Sequence, residues 1–466
     1  MGGMPKQEII MKKRILLAIL SIFLCFTLIA CDGSGDGETD TTVSNEEEST
    51  SVEETEETTE SESETDVDPD NEPIENYHIV LSRPTIVAQG TLANSNGGNY
   101  CFPGMYFTEN GNIGISWAMK PDTIDSYTGA VGYAYSSDNG ATWTEGSSGN
   151  AISSVLMSNG RYFKGFEAKN AYTVNYLDKY EPVITITDDY TYDRIDMYSA
   201  DDLKELDNSC VGFEYDPVTQ TTRHFPVTIN WPDRLQCVYD GKVYPLCQTF
   251  ALHAGYGVIN IDGTLYYSLY SRGSVDPTTG EITEYSRYCS VYIFTSTDNG
   301  RTWNYLSQIT PNAQNCRPTD SKYEGFTEPM MEVMPDGSVV MLIRTGNPGP
   351  SYITRSTDNC KTWSEPVKFD DVGVLPQIMT LGCGVTIASY GRPGLYVRAT
   401  SDPAGLVWKE PLTLGLTTGQ SCCYTSMVPL DDYTALLVYT DHTYPNEKGE
   451  RVRTVLVRTV TVVVDD

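Results

Sequence analysis

From residue 76 onward, apolar residues fall in short runs and not in a helical stripe. Val, Ile, Thr and Tyr gather in segments such as residues 112–117, 339–344 and 454–464, broken by Gly, Asn, Asp and Pro. β-Branched and aromatic runs punctuated by turn formers predict strands. Scarcely any 3.6-residue periodicity competes with them, so the body of the chain is expected to be all-β. The first 75 residues read differently. A charged Met11-Lys12-Lys13-Arg14 leads into an apolar run over residues 15–30. That run is too short to cross a bilayer comfortably and suits a signal peptide. Residues 32–75 then carry almost nothing apolar.

One turn sequence recurs within the strand-rich body. Ser136-Ser137-Asp138-Asn139-Gly140-Ala141-Thr142-Trp143 is echoed by Ser296-Thr297-Asp298-Asn299-Gly300-Arg301-Thr302-Trp303. A third copy, Ser356-Thr357-Asp358-Asn359-Cys360-Lys361-Thr362-Trp363, has cysteine in the glycine slot. A worn fourth is Ser401-Asp402-Pro403-Ala404-Gly405-Leu406-Val407-Trp408. In such a turn the Ser and Asp side chains can satisfy backbone groups, Gly supplies a positive φ, and Trp packs beneath. A cysteine in a left-handed conformation costs on the order of 1 kcal/mol. The last two Asp-to-Asp intervals, 60 and 44 residues, each suit one repeat of a propeller. The first, 160 residues, must hold at least one unmarked repeat and insertions, including the irregular region 172–240. Six repeats are expected, closed by pairing residues 77–87 with residues 452–464, because closure hides sheet edges.

Charge sharpens the organisation. Residues 32–75 hold 6 Asp and 13 Glu with no Lys or Arg. Such a segment repels itself and cannot offset its ordering entropy, so it is expected to be a disordered tether spanning roughly 35–40 Å. From residue 76 the chain keeps 43 acids against 27 bases. It has no basic stripe for nucleic acid, and that class of partner is not expected. Of twelve cysteines, Cys25 lies in the signal, and ten follow Cys31: Cys101, Cys210, Cys237, Cys247, Cys289, Cys316, Cys360, Cys383, Cys422 and Cys423. Buried thiols and one or two bridges are both open, and spacing does not decide the pairing. No CxxC or Cys/His spacing points to zinc, and no cofactor is expected.

Leu28-Ile29-Ala30-Cys31 resembles the bacterial lipobox, which implies acylation of Cys31 and cleavage just before it. The four turn copies resemble the Asp box of sialidases and related propellers. Across about residues 95–463 the chain is similar to bacterial sialidases, which implies a six-bladed β-propeller. The organisation expected is a lipoprotein signal peptide over 1–31, the acidic linker over 32–75 and a sialidase-like domain over 76–466. In that family the boxes join the outer two strands of a blade, away from the substrate, so they carry no chemistry.

The same resemblance nominates site residues. Phe326-Thr327-Glu328-Pro329 followed by Arg344 looks like the segment bearing a buried glutamate and a carboxylate-binding arginine. Gly391-Arg392-Pro393-Gly394 resembles the segment bearing another such arginine, and Cys423-Tyr424-Thr425-Ser426-Met427 the stretch with a nucleophilic tyrosine. Asp125 falls where the family keeps its acid/base aspartate, with Asp122 as a competitor. The chemistry accounts for these residue types. A sialic acid bears a carboxylate on its anomeric carbon, which repels an anionic nucleophile; a neutral tyrosine with a base beside it avoids the repulsion. Glu328 would be that base, Asp125 would protonate the leaving oxygen, and guanidinium groups would grip the carboxylate bidentately.

The chain departs from the family at Tyr100-Cys101-Phe102-Pro103, where sialidases present Tyr-Arg-Ile-Pro and their third arginine. The missing contact is worth roughly 1.5–3 kcal/mol, unless Lys120, Arg161 or Lys164 replaces it. The implied activity is an exo-acting retaining hydrolase releasing terminal sialic acid or a related 2-keto sugar acid from extracellular glycans. Alternatives are a propeller glycosidase or lyase on a different sugar, and a noncatalytic glycan-binding lipoprotein. The implied partners are a glycan and, through Cys31, the outer face of a bacterial membrane.

Overall fold

The computed structural model describes residues 74–90, 100–119, 131–149, 151–152, 155–168, 179–187, 194–199, 209–230, 235–239, 242–243, 257–271, 276, 279, 281, 283–315, 323–346, 349–417 and 419–465. The proposed signal, Cys31, residues 32–73 of the acidic linker, Lys120, Asp122 and Asp125 lie outside these residues. Strands dominate the described chain, beside a single-turn 3-10 helix at Glu284–Arg287. The all-β expectation holds.

The two ends of the domain share one sheet. Tyr77–Leu81 and Thr85–Gln89 both pair with the terminal strand Arg451–Val464, in the register Tyr77↔Val464 and Thr85↔Val457. Beyond that strand follow Thr434–Pro445 and Ser426–Asp431. Closure through early and late strands is therefore as expected. Three other antiparallel meanders begin at Cys101–Thr108, Tyr323–Val333 and Val374–Thr380. An eight-stranded sheet divides at a parallel contact, Thr221–Asn230 against Thr302–Ile309, into two further four-stranded meanders. The first of these runs Val155–Leu156, Tyr162–Ala168, Ser209–Asp216 and Thr221–Asn230, and it is the unmarked repeat. Ile184–Thr187, Arg194–Ser199, Leu235–Tyr239 and Lys242–Val243 form a separate small sheet inside the same interval.

Sheets stack face to face, and this explains the continuous apolar runs. In Val339–Gly346 every residue is buried. Val339, Met341 and Ile343 pack with Val291 and Ile293 of one neighbouring sheet, while Val340 and Leu342 pack with Ile378, Ala388 and Tyr390 of the other. A strand with period-2 side chains and two buried faces needs apolar residues along its packed length, here residues 339–343. Two more clusters join the closing sheet to its neighbours: Leu437 and Leu456 meet Ile387 and Val397, and Leu436 and Val455 meet Met105 and Ile115.

Each turn copy links the third strand of its meander to the fourth. Asp138 accepts from the Thr142 backbone NH at 2.9 Å, Ser136 Oγ accepts from the Gly140 NH at 2.8 Å, and Trp143 Nε1 donates to the Gly140 carbonyl at 3.1 Å. The copy at Ser296 repeats all three bonds. The Thr142 hydroxyl, then the Thr142 backbone NH and the Ser136 hydroxyl, all donate to Asp138 and hold its carboxylate down to about 2. The left-handed stretch spans two residues where one was expected: Asn139 with Gly140, Asn299 with Gly300, and Asn359 with Cys360. Side-chain room decides the second slot. A Cβ on Gly140 would stand 2.7 Å from Leu436, and one on Gly300 2.8 Å from Phe163, whereas the Cys360 side chain is itself fully buried core. Of the described cysteines, Cys101, Cys210, Cys289, Cys360, Cys383, Cys422 and Cys423 are in no disulfide.

Candidate functional site

The sheet topology sorts the ends of the strands. The turn copies follow third strands, so the starts of first strands and the ends of second strands lie at the opposite end of each meander. Glu324 and Glu328 are in the first strand of one sheet, and Arg344 is near the end of its second. Arg392 directly follows the second strand Thr386–Gly391 of the next sheet. Tyr424 stands two residues before Ser426–Asp431 in the closing sheet, and Cys101 opens the first strand of the sheet that follows it.

The sequence places these side chains through distorted backbone. Phe102, Glu328, Leu375 and Arg392 all have positive φ, between 36° and 63°, and a proline follows each. The first three lie where their strands slip register against the partner strand. A bulge re-aims a side chain and leaves a residue out of the ladder, which is where a proline without an NH is tolerated. Tyr100 and Cys423 are also left-handed. A non-glycine residue in this conformation costs about 1–3 kcal/mol, and such strain persists only where surrounding structure imposes it.

Glu328 is the centre of the group. Its Oε1 accepts from Tyr424 Oη at 2.7 Å and from Arg344 Nη1 at 2.7 Å. Its Oε2 accepts from the backbone NH of Leu375 at 2.7 Å. Arg344, 7% exposed, also donates from Nη2 to Glu324 at 3.0 Å and from Nε to the Gly346 carbonyl at 3.2 Å. Loss of hydration opposes its charge, but Glu324 and then Glu328 outweigh that and hold it protonated. Arg392 lies over the Tyr424 ring with its guanidinium carbon 5.6 Å from the centroid, and its Nη2 donates to the Cys422 carbonyl at 2.6 Å. Phe102 meets the Tyr424 ring edge-on at 4.8 Å. Loss of hydration and then the Glu328 charge raise the Tyr424 phenol well above its ordinary pKa, against the pull of both arginines. Tyr424 is thus a neutral hydroxyl that donates to the Glu328 carboxyl group, which also pairs with Arg344.

Glu328, Arg344, Arg392 and Tyr424 are brought together from three sheets. Two proposed replacements for the missing arginine are elsewhere. Arg161 pairs with Glu214 at 2.8 Å and with Asp216 at 3.2 Å, close to the turn at Asn299. Lys164 is half-buried, its ammonium disfavoured by lost hydration and supported by Glu109 in the hairpin at the turn end. Cys101 stands against His442, with Sγ to Nε2 at 3.6 Å, so it is the Phe102 ring that reaches Tyr424.

Sequence reasoning missed Glu324, Leu375 and Tyr270. Tyr270 lies near the end of a second strand, close enough for the charges of Glu328 and Arg344 to bear on its phenol. The signal for Leu375 was the proline after it, the same one that follows Glu328. Among the described residues no cluster of three or more His, Cys, Asp or Glu could hold a metal ion.

No curated protein matches the chain. Among solved structures it is similar to the Hadza microbial sialidase Hz136, at 14% identity and a TM-score of 0.37, covering 77% of this chain and 65% of that one. It thus spans less than two thirds of that relative. It is also similar to the intramolecular trans-sialidase of Ruminococcus gnavus, at 14% identity and a TM-score of 0.38, covering 80% of this chain and 97% of that one. The α-L-arabinanase of Penicillium chrysogenum is similar at 13% identity and a TM-score of 0.41, covering 81% and 98%. Residues 259–436, which hold Glu324, Glu328, Arg344, Arg392 and Tyr424, match the family model of the BNR repeat-like domain.

Proposed function

We propose that this chain is an exo-acting retaining glycoside hydrolase, built as a six-bladed β-propeller and held by a lipid at Cys31 outside a bacterial cell. Its substrate is a terminal sialic acid or a related 2-keto sugar acid. The observation that carries the reading is the hydrogen bond of 2.7 Å from Tyr424 to Glu328, on a carboxylate oxygen that Arg344 also holds. A glycan binder has no use for a base beside a half-buried phenol.

In this mechanism Arg344 and Arg392 orient the sugar carboxylate. Tyr424 Oη attacks the anomeric carbon as its proton passes to Glu328, so no full phenolate forms. Asp125 protonates the leaving oxygen as the glycosidic bond breaks. It then takes a proton from the water that releases the sugar from Tyr424, and two inversions retain the configuration. Glu328 returns its proton to Tyr424.

A second reading, a glycosidase acting on another sugar, is favoured by Cys101 at the position of the family's third arginine. The two are tested by a hydrolysis panel of fluorogenic sialosides and other glycosides. A 3-fluoro sialoside should leave a sugar covalently on Tyr424, detected by peptide mass spectrometry. Turnover of sialosides with no label on Tyr424 would overturn the proposed nucleophile.

A further inference from the structure

Arg344 has little left to offer a ligand. Its Nε is bonded to Gly346, its Nη1 to Glu328, and its Nη2 to Glu324. Glu324 is unlike the other two partners. Its side chain is 32% exposed, against 5% for Glu328. Its backbone, by contrast, is pinned: the Cys289 NH donates to the Glu324 carbonyl at 2.9 Å, the Phe326 NH to the Cys289 carbonyl at 2.7 Å, and Gly325 forms a bridge to Cys289. A Cβ on Gly325 would stand 2.4 Å from the Cys289 nitrogen, so nothing larger than glycine permits this approach. The carboxylate can therefore leave Arg344 by side-chain rotation into water without moving the strand.

The charges make that departure consequential. Arg344 and Arg392 are balanced by Glu324 and Glu328 before any substrate arrives. A sugar carboxylate would enter a neutral group and compete for a guanidinium edge already occupied by a carboxylate. From this we infer that Glu324 occupies the substrate carboxylate's place on Arg344 and acts as an internal competitor that sets charge selectivity. An acidic sugar must displace it, whereas a neutral sugar of the same shape need not. The inference rests on the proposed function in taking this group as the sugar site. It does not depend on turnover.

The test is binding to the full chain by calorimetry, with 2,3-didehydro-2-deoxy-N-acetylneuraminic acid and its methyl ester as probes. The two differ in the charge that Glu324 opposes. Glu324→Gln is nearly isosteric and should keep the unfolding temperature. It should tighten the acid by about tenfold or more, the scale of one charge-assisted hydrogen bond, and leave the ester nearly unchanged. Glu324→Ala should do the same, which guards against an effect of the new amide. A residue that merely braced Arg344 would move acid and ester together. An acid-to-ester ratio unchanged in both variants, weaker acid binding in them, or no acid binding at all would overturn the inference. Absent turnover on every glycoside would overturn the hydrolase reading and leave this ratio unaffected.

Discussion

Tyr424 and Arg344 share one oxygen of Glu328, each 2.7 Å from Oε1, and stand 3.5 Å from each other. The phenol therefore keeps its proton at neutral pH, yet has a path for releasing it. The guanidinium steadies the carboxylate and any negative charge that grows on the tyrosine.

That arrangement predicts how the pair fails. Tyr424→Phe should lower kcat at least about 10³-fold and leave the protein folded. Glu328→Gln should lower kcat comparably. The double variant should lose far less than the product of the two, because paired residues act as a unit. Steady-state kinetics on the best substrate of the panel measures this, and multiplicative losses would separate the two roles. Glu328→Ala should also destabilise, by about 3–5 kcal/mol, since it leaves a buried guanidinium short of a partner.

A second prediction concerns Asp125, proposed as the acid/base. Asp125→Ala should be crippled on substrates with poor leaving groups, less so on activated aryl glycosides, and rescued by azide. Asp122→Ala should be close to wild type. Rescue of the Asp122 variant in place of the Asp125 variant would reassign the role.

Glu332 gives a pH signature in stability. Loss of hydration raises its carboxyl from 4.5 to about 7, although the Thr380 NH donates to it at 3.1 Å. Between those values the folded state keeps a proton that the unfolded state has released. Stability is fully present below about 4.5 and falls as pH rises towards 7. Glu332→Gln should flatten that fall by up to about 1.4 kcal/mol per pH unit, read from urea unfolding at pH 5 and 7. An unchanged slope would show that Glu332 is ionised in the fold.

Trp303 tests the turn copies as structure. It is fully buried against Phe163, Phe166 and Tyr267, and its Nε1 donates to the Gly300 carbonyl at 3.0 Å. Trp303→Ala should cost about 3–5 kcal/mol of stability. Below its lowered melting temperature it should keep kcat within a few-fold, since the copies lie at the other end of each meander from Tyr424. A large loss of kcat in a folded variant would refute the separation.

Anchoring is tested at Cys31. Cys31→Ala should move the protein from the membrane fraction to the soluble one and abolish incorporation of labelled palmitate. Retention of both would sink the lipid anchor.

The all-β class and the repeated turns were legible in the sequence because their causes are local. A turn copy closes its own hydrogen bonds within eight residues, as Ser296, Asp298, Gly300 and Trp303 do, so it reads the same wherever it occurs. The apolar runs were equally plain, since two buried faces leave no polar positions in a stretch such as residues 339–343. Nothing local marked Glu324, whose side chain became a site feature only when Cys289 pinned its backbone beside Arg344. Nothing local placed Arg161 away from the site, because its partners Glu214 and Asp216 come more than fifty residues later. The chain could name Glu328 and Tyr424 through a resemblance. Their meeting across 96 residues depends on how separate sheets stack and on bulges that turn Glu328 and Leu375 inward. Those are long-range packing effects, and only the tertiary structure decides them.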